Sequence, residues 1–247
     1  MNAQVKPVYD DIGSKFEDFT SSASQRPIEV RTFMGLLGDL TGLAVLDLAC
    51  GHGDFSRRIH EQGARRVTGI DISPEMIRLA KAQSLTRGDD ILFELGDARA
   101  LPRLGQFDVV SAAWLFNYAE DKAQLGGMFA SVARNLKPGG RLIAYTVNPD
   151  FDLAKGNFTP YGVHVADQQH VDGGARHRGH FMTESPHPFT FHRWSVDAYA
   201  AAAAAAGFSS PAWRLPSVQD ADRLGRDSDY WTLFEANCLQ AAFECSR

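Results

Sequence analysis

The stretch Asp47-Leu48-Ala49-Cys50-Gly51-His52-Gly53 constrains this chain more than any other. It follows the apolar run Leu43 to Leu46 and leads into a helical pattern that begins near Asp54. Strand, tight glycine turn and helix make up the βα unit that binds nucleotides at the carboxyl edge of a parallel sheet. Gly51 and Gly53 lack a Cβ, so the backbone can turn sharply and lie against a ligand. The dinucleotide fingerprint asks for a third glycine three residues after Gly53, and that position holds Ser56. A ligand with a pyrophosphate to cradle, such as NAD, loses support on that ground.

Further acids stand at the ends of later apolar segments. Arg66-Val67-Thr68-Gly69-Ile70 ends in Asp71, 20 residues after Gly51, followed by Ile72. A carboxylate there can accept two hydrogen bonds from a ribose diol. Ile91-Leu92-Phe93-Glu94-Leu95 leads into Gly96-Asp97-Ala98, where Asp97 can accept from the exocyclic amine of adenine. Phe107 to Ala113 has small residues, Ala112 among them, where backbone must approach a ligand; Asp108 within it reads as structural. Leu136-Lys137-Pro138-Gly139-Gly140 is a turn into a strand from Arg141 to Val147. In this order the set resembles class I S-adenosylmethionine (SAM) methyltransferases. The resemblance implies a Rossmann-like α/β fold: a seven-stranded, mostly parallel sheet with an antiparallel last strand. SAM is then the cofactor, with Asp47, Gly51, Gly53, Asp71, Ile72, Asp97, Ala98 and Ala112 around it.

The chain has 247 residues and a net charge of −5, which argues for one domain over 1–247 and against a general nucleic-acid binder. No segment is apolar enough for a membrane span, and Met1 to Asp10 has no signal-peptide core. Cys50, Cys238 and Cys245 are an odd set, one of them inside the glycine turn; a cytoplasmic protein is expected. Oligomeric state is not legible.

Residues 8–38 read as two short helices, with Ser24 as a cap and Pro27 in the first turn of the second. Residues 1–40 would form a helical lid, in which Tyr9 either folds over SAM or packs in the stripe Tyr9, Ile12, Phe16, Phe19. Residues 148–190 read as an insertion after the fifth strand that covers the substrate. Its first part, 148–187, has no clear periodicity, and Phe189 to Trp194 reads as a strand. Ser195 caps a helix closed by Gly207, and Trp213 to Ser246 supplies the last two strands. Six of the eight histidines fall between His164 and His192. Their spacing fits no standard zinc pattern, so no metal is expected. They are loop histidines, or one of them, His192 first, is a general base.

Tyr9-Asp10-Asp11-Ile12-Gly13, Ala113-Trp114-Leu115-Phe116-Asn117-Tyr118, Asn148-Pro149-Asp150-Phe151, Lys155-Gly156-Asn157-Phe158 and Phe191-His192-Arg193-Trp194 together resemble bacterial toxoflavin-biosynthesis methyltransferases. The resemblance implies N-methylation of a small planar azapteridine precursor in secondary metabolism. Such a substrate suits aromatic walls. Trp114, Tyr118, Phe158, Tyr161 and Trp194 are the candidates, with Trp114 as wall or as core. O- or C-methylation of another natural product stays open, as does a SAM-binding regulatory module.

Overall fold

Apolar runs separated by capped helical patterns fold here as a doubly wound sheet. The structure, a computed structural model, describes residues 23–183, 186 and 188–247. Tyr9 and the first predicted helix lie outside the described residues. Helix α1 spans Arg26–Leu37 with Pro27 in its first turn. Its N-cap is Gln25, not Ser24, because the Ser24 hydroxyl is drawn 2.7 Å from the Tyr230 hydroxyl.

The repeat follows: β1 (Ala44–Leu48), α2 (Asp54–Glu61), β2 (Arg66–Asp71), α3 (Pro74–Arg87), β3 (Leu92–Leu95), β4 (Phe107–Ala113), α4 (Lys122–Asn135) and β5 (Leu136–Val147). Ser73 caps α3 by accepting from the Met76 N–H, with Pro74 next in line. After β5 come β6 (Val163–Val171), β7 (Gly174–Phe181), β8 (Pro188–Trp194), α5 (Val196–Ala205), β9 (Ala212–Arg214), α6 (Asp220–Arg223), α7 (Thr232–Ala236) and β10 (Gln240–Ser246). The Ser195 hydroxyl caps α5 as expected, and Gly207 follows its end at φ 83°.

The main sheet has the order β3-β2-β1-β4-β5-β10-β9. Strands β1 to β5 run parallel, and β10 is antiparallel to both β5 and β9. This is the seven-stranded, mostly parallel sheet that the motifs implied. Helices cover both faces, so β1 is buried throughout. Leu46 and Leu48 face one core with Val110, Phe129 and Phe243, whereas Val45 faces the other with Ile59, Val109 and Tyr145. The winding reverses between β1 and β4, where Leu48 pairs with Ala112. Their carboxyl ends therefore lie side by side at the point where such folds bind ligands. At the opposite edge Asp108 is structural as expected: its carboxylate takes the Ala44 N–H and pairs with Lys137.

The insertion differs from its reading as irregular chain. It forms a second, antiparallel sheet, β6-β7-β8. Val171 pairs with Gly174 around Asp172-Gly173, and Gly173 has φ 85°. Asp-Gly is a strong two-residue hairpin signal, since glycine accepts the positive φ that the turn demands. A bulge between Val165 and Asp167 breaks the alternation of β6, which hid the strand in the sequence. Among the described residues no helix is long and apolar enough to cross a membrane.

Candidate active site at the switch point

The glycine turn holds an unusual backbone. Ala49 (φ 57°), Gly51 (φ 55°) and Gly53 (φ 90°) are all left-handed, and so is Trp114 (φ 59°) at the end of neighbouring β4. Left-handed residues with a Cβ store strain, and here two of them meet at adjacent strand ends. A Cβ on Gly53 would lie 2.6 Å from the Phe93 ring, so glycine is required; at Gly51 the same position faces open space.

Asp47 is the penultimate residue of β1 and is buried. Both of its oxygens are engaged: Ser56 Oγ donates to Oδ2 at 2.5 Å and Ser111 Oγ to Oδ1 at 2.8 Å. The residue that replaces the third glycine therefore anchors the turn to β1. Burial pushes the Asp47 carboxyl up to about 6, against the opposing pull of the two serines. Asp47 shapes the turn from beneath.

Asp71 reaches from the end of β2 into the turn. The Gly51 N–H donates to Oδ2 at 2.8 Å and the Ser73 N–H to Oδ1 at 2.9 Å. A carboxylate has about four acceptor positions, so one so held can still meet a diol. Ile72 beside it is 44% exposed and offers an apolar face. The open space at Gly51, the fixed carboxylate and this face suit the nucleoside of SAM.

Asp97 is a partial correction. Its carboxylate is gripped by the Arg99 side chain, at 2.6 Å from Nη2 to Oδ2, and by the Arg99 N–H. An adenine amine would have to share it. Ala98 and Ala112 are buried in the core, so only their backbone could face a ligand.

Three predicted substrate walls do not stand as drawn. Phe158 and Tyr161 are 0% and 1% exposed. Tyr161 stacks on Trp231 at 5.5 Å, its hydroxyl donates to the Tyr230 carbonyl, and Phe158 packs on Phe234. Trp194, also buried, packs with Ala198 and Tyr199. All three hold the insertion onto the sheet, because an aromatic side chain surrendered to a core leaves no face for a ligand. Trp114 is different: it is half-buried, edge-on to Tyr145 at 5.4 Å, and its Nε1–H donates to Glu29 at 2.8 Å. Tyr118 is half-buried in the short helix Phe116–Tyr118 after β4.

His164, His170, His177, His180 and His192 are strand residues, not loop residues, and His187 lies outside the described residues. His177 stacks on Phe191 at 5.0 Å on β7, and burial drives its imidazole down to about 4. His192, buried on β8, stacks on Trp194 at 5.6 Å; burial lowers it too, and its Nδ1 has no hydrogen-bond partner. Among the described residues no three His, Cys, Asp or Glu are grouped to hold a metal.

Sequence reasoning missed Glu29, Arg99 and Ser111. Glu29 had a signal: an acid on a helix face that otherwise buries Ile28, Phe33, Met34 and Leu37.

With this geometry in place, known proteins locate the chain. Residues 45–140 match the family model described as "Methyltransferase domain". A demethylmenaquinone methyltransferase of Lactococcus lactis is 32% identical over 165 residues, 64% of this chain and 64% of that protein. A ubiquinone biosynthesis O-methyltransferase of Xanthomonas oryzae pv. oryzae is 32% identical over 112 residues, 44% of this chain and 45% of the relative. The chain thus matches less than two thirds of either relative's length. The crystal structure of an S-adenosylmethionine dependent methyltransferase from Mesorhizobium loti shares the fold, with TM-score 0.65 and 23% identity over 92% of this chain and 100% of that one. Residues 45–140 are thus similar to a methyltransferase domain, and the fold is the one found in solved SAM-dependent methyltransferases. The two relatives are named for quinones rather than azapteridines.

Proposed function

We propose that this protein transfers a methyl group from SAM to a ring nitrogen of a small planar heterocycle of azapteridine type. The observation that carries it is the sheet edge where left-handed Ala49 and Trp114 flank one point, with the Asp71 carboxylate fixed beside them. When bound there, SAM supplies a methyl group already activated on a sulfonium, so no protein nucleophile is required. Asp71, Gly51, Gly53 and Ile72 hold the nucleoside, and Asp47 keeps the turn in shape. Trp114 and Tyr118 present the aromatic surface against which a flat ring aligns, and alignment carries much of the rate in such a displacement. His192 is the candidate general base, and burial favours its neutral imidazole, the form able to take a proton from an acceptor N–H. The toxoflavin-type resemblance supports the nitrogen acceptor and a role in secondary metabolism, and the odd set of three cysteines supports a cytoplasmic enzyme.

A second reading, O- or C-methylation of a ring such as a hydroquinone, is favoured by the names of the relatives. Incubation with SAM and either a demethylated azapteridine or a hydroquinone, with products followed by mass spectrometry, separates the two. A mass gain of one methyl on the azapteridine alone supports the proposal. A gain on the phenolic oxygen or ring carbon alone replaces it with the second reading.

A further inference from the structure

Glu29 and Trp114 are 85 positions apart, yet the indole Nε1–H donates to Glu29 Oε1 at 2.8 Å. The same oxygen accepts from Arg26 Nη1 at 2.7 Å, and Arg26 Nη2 reaches Asp54 Oδ2 at 2.5 Å. Asp54 opens α2 directly after the Gly53 cap, and the Arg26 guanidinium also lies over the Phe55 ring, 4.6 Å from its centroid. A chain of charge-assisted hydrogen bonds therefore runs from the cofactor turn, through α1, to Trp114.

Glu29 is 5% exposed. A buried carboxylate is costly unless paired, and a helix that only had to pack would carry an apolar side chain there. Its partners are informative. Arg26 neutralises the charge, but the indole adds no charge and gains a direction. The hydrogen bond adds a direction to the packing of Trp114, which follows β4 in a left-handed backbone and lies against Tyr145 between two core clusters.

We propose that Glu29 is a positioning residue, which aims the Trp114 indole and, through Arg26 and Asp54, keys the acceptor wall to the cofactor turn. This rests on the reading of Trp114 as the wall of the acceptor site. The first test needs no acceptor. The full chain, labelled with ¹⁵N-tryptophan, gives indole N–H signals from its four tryptophans, and Trp114→Phe identifies the one lost. In Glu29→Ala that signal shifts upfield and its solvent exchange speeds up by about tenfold, the scale of one charge-assisted hydrogen bond. In Glu29→Gln, whose amide oxygen still accepts, most of the protection returns. Thermal melts confirm that each variant is folded, and Glu29→Met, similar in volume but without an acceptor, replaces Glu29→Ala if that variant is not. An unchanged Trp114 signal in both variants overturns the proposal.

The second test uses turnover of a demethylated azapteridine. Glu29→Ala raises the acceptor KM several-fold while the SAM Kd stays put, and it adds nothing in a Trp114→Phe background. Equal loss of kcat in Glu29→Gln and Glu29→Ala, at unchanged KM, overturns the positioning role in favour of proton transfer. No turnover by the wild type refutes the azapteridine reading alone, because the indole signals still report on Glu29.

Discussion

At the cofactor edge the buried acids have their donors. Asp47 takes two serine hydroxyls and Asp71 takes two backbone N–H groups. Across from it, on β7 and β8, His177 Nδ1, His192 Nδ1, Arg193 Nε and Trp194 Nε1 are buried without a hydrogen-bond partner. A buried polar atom without a partner costs about 1–3 kcal/mol. The cradle is thus pre-organised, while the cover keeps hydrogen-bonding capacity in reserve. On the proposed reading, in which SAM sits at that edge and the acceptor under the insertion, such a division would let one fold serve many acceptors.

The largest effect should come from emptying the cover's apolar seam. Phe158→Ala removes a fully buried ring and should cost about 3–5 kcal/mol in urea unfolding. SAM affinity, read by calorimetry, should move by no more than about twofold; a collapse of SAM binding would show that the two regions are one cooperative unit.

Asp47 sharpens the contrast through pH. Its carboxyl is pulled up from 3.8 to about 6, so the folded state holds the proton more tightly than the unfolded chain. That contribution to stability is full below pH 3.8 and is lost as pH rises to about 6. Asp47→Asn cannot ionise. Its stability relative to the wild type should therefore climb across this window by roughly 3 kcal/mol. Parallel stability curves for the two proteins would mean that the wild-type carboxyl titrates normally.

Asp71→Ala should weaken SAM by about ten- to a hundredfold, the scale of a charge-assisted pair. An unchanged Kd would remove Asp71 from the cofactor site. The smallest effect should come from Arg99→Ala, which frees Asp97. If adenine competes for that carboxylate, SAM should bind about two- to fivefold more tightly, since an exposed ion pair is worth little. Weaker binding would instead assign Arg99 to the cofactor.

What could be read in the sequence follows the same division. The turn from Asp47 to Gly53, the acid at Asp71 and the order of strands depend on short spacings, and these survive in a linear chain. The role of Ser56 was visible only as a missing glycine, since its partner Asp47 lies a strand end away. The cover depends on distant partners: Tyr161 with Trp231, Asn237 with Asp152, and Glu29 with Trp114. Aromatic content alone could not separate a wall that faces a ligand from one absorbed into packing, which is why Phe158 and Tyr161 changed roles. The Asp172-Gly173 turn signal stood in the sequence but was passed over when 148–187 was read as aperiodic, because the bulged strand before it breaks the alternation.

One feature of the sheet governs how the chain can be assembled. Strand β10 lies between β5 and β9, although both precede it in sequence. Until Gln240 to Ser246 have been made and slotted in, the outer edge of β5, from Arg141 to Val147, has no hydrogen-bonded neighbour. That stretch carries Leu142, Ile143, Ala144 and Tyr145, an unpaired apolar strand of the kind that templates aggregation. The final strand acts as a keystone. Its long-range pairing is slow to form, so the outer edge of β5 stays open until the residues of β10 reach it.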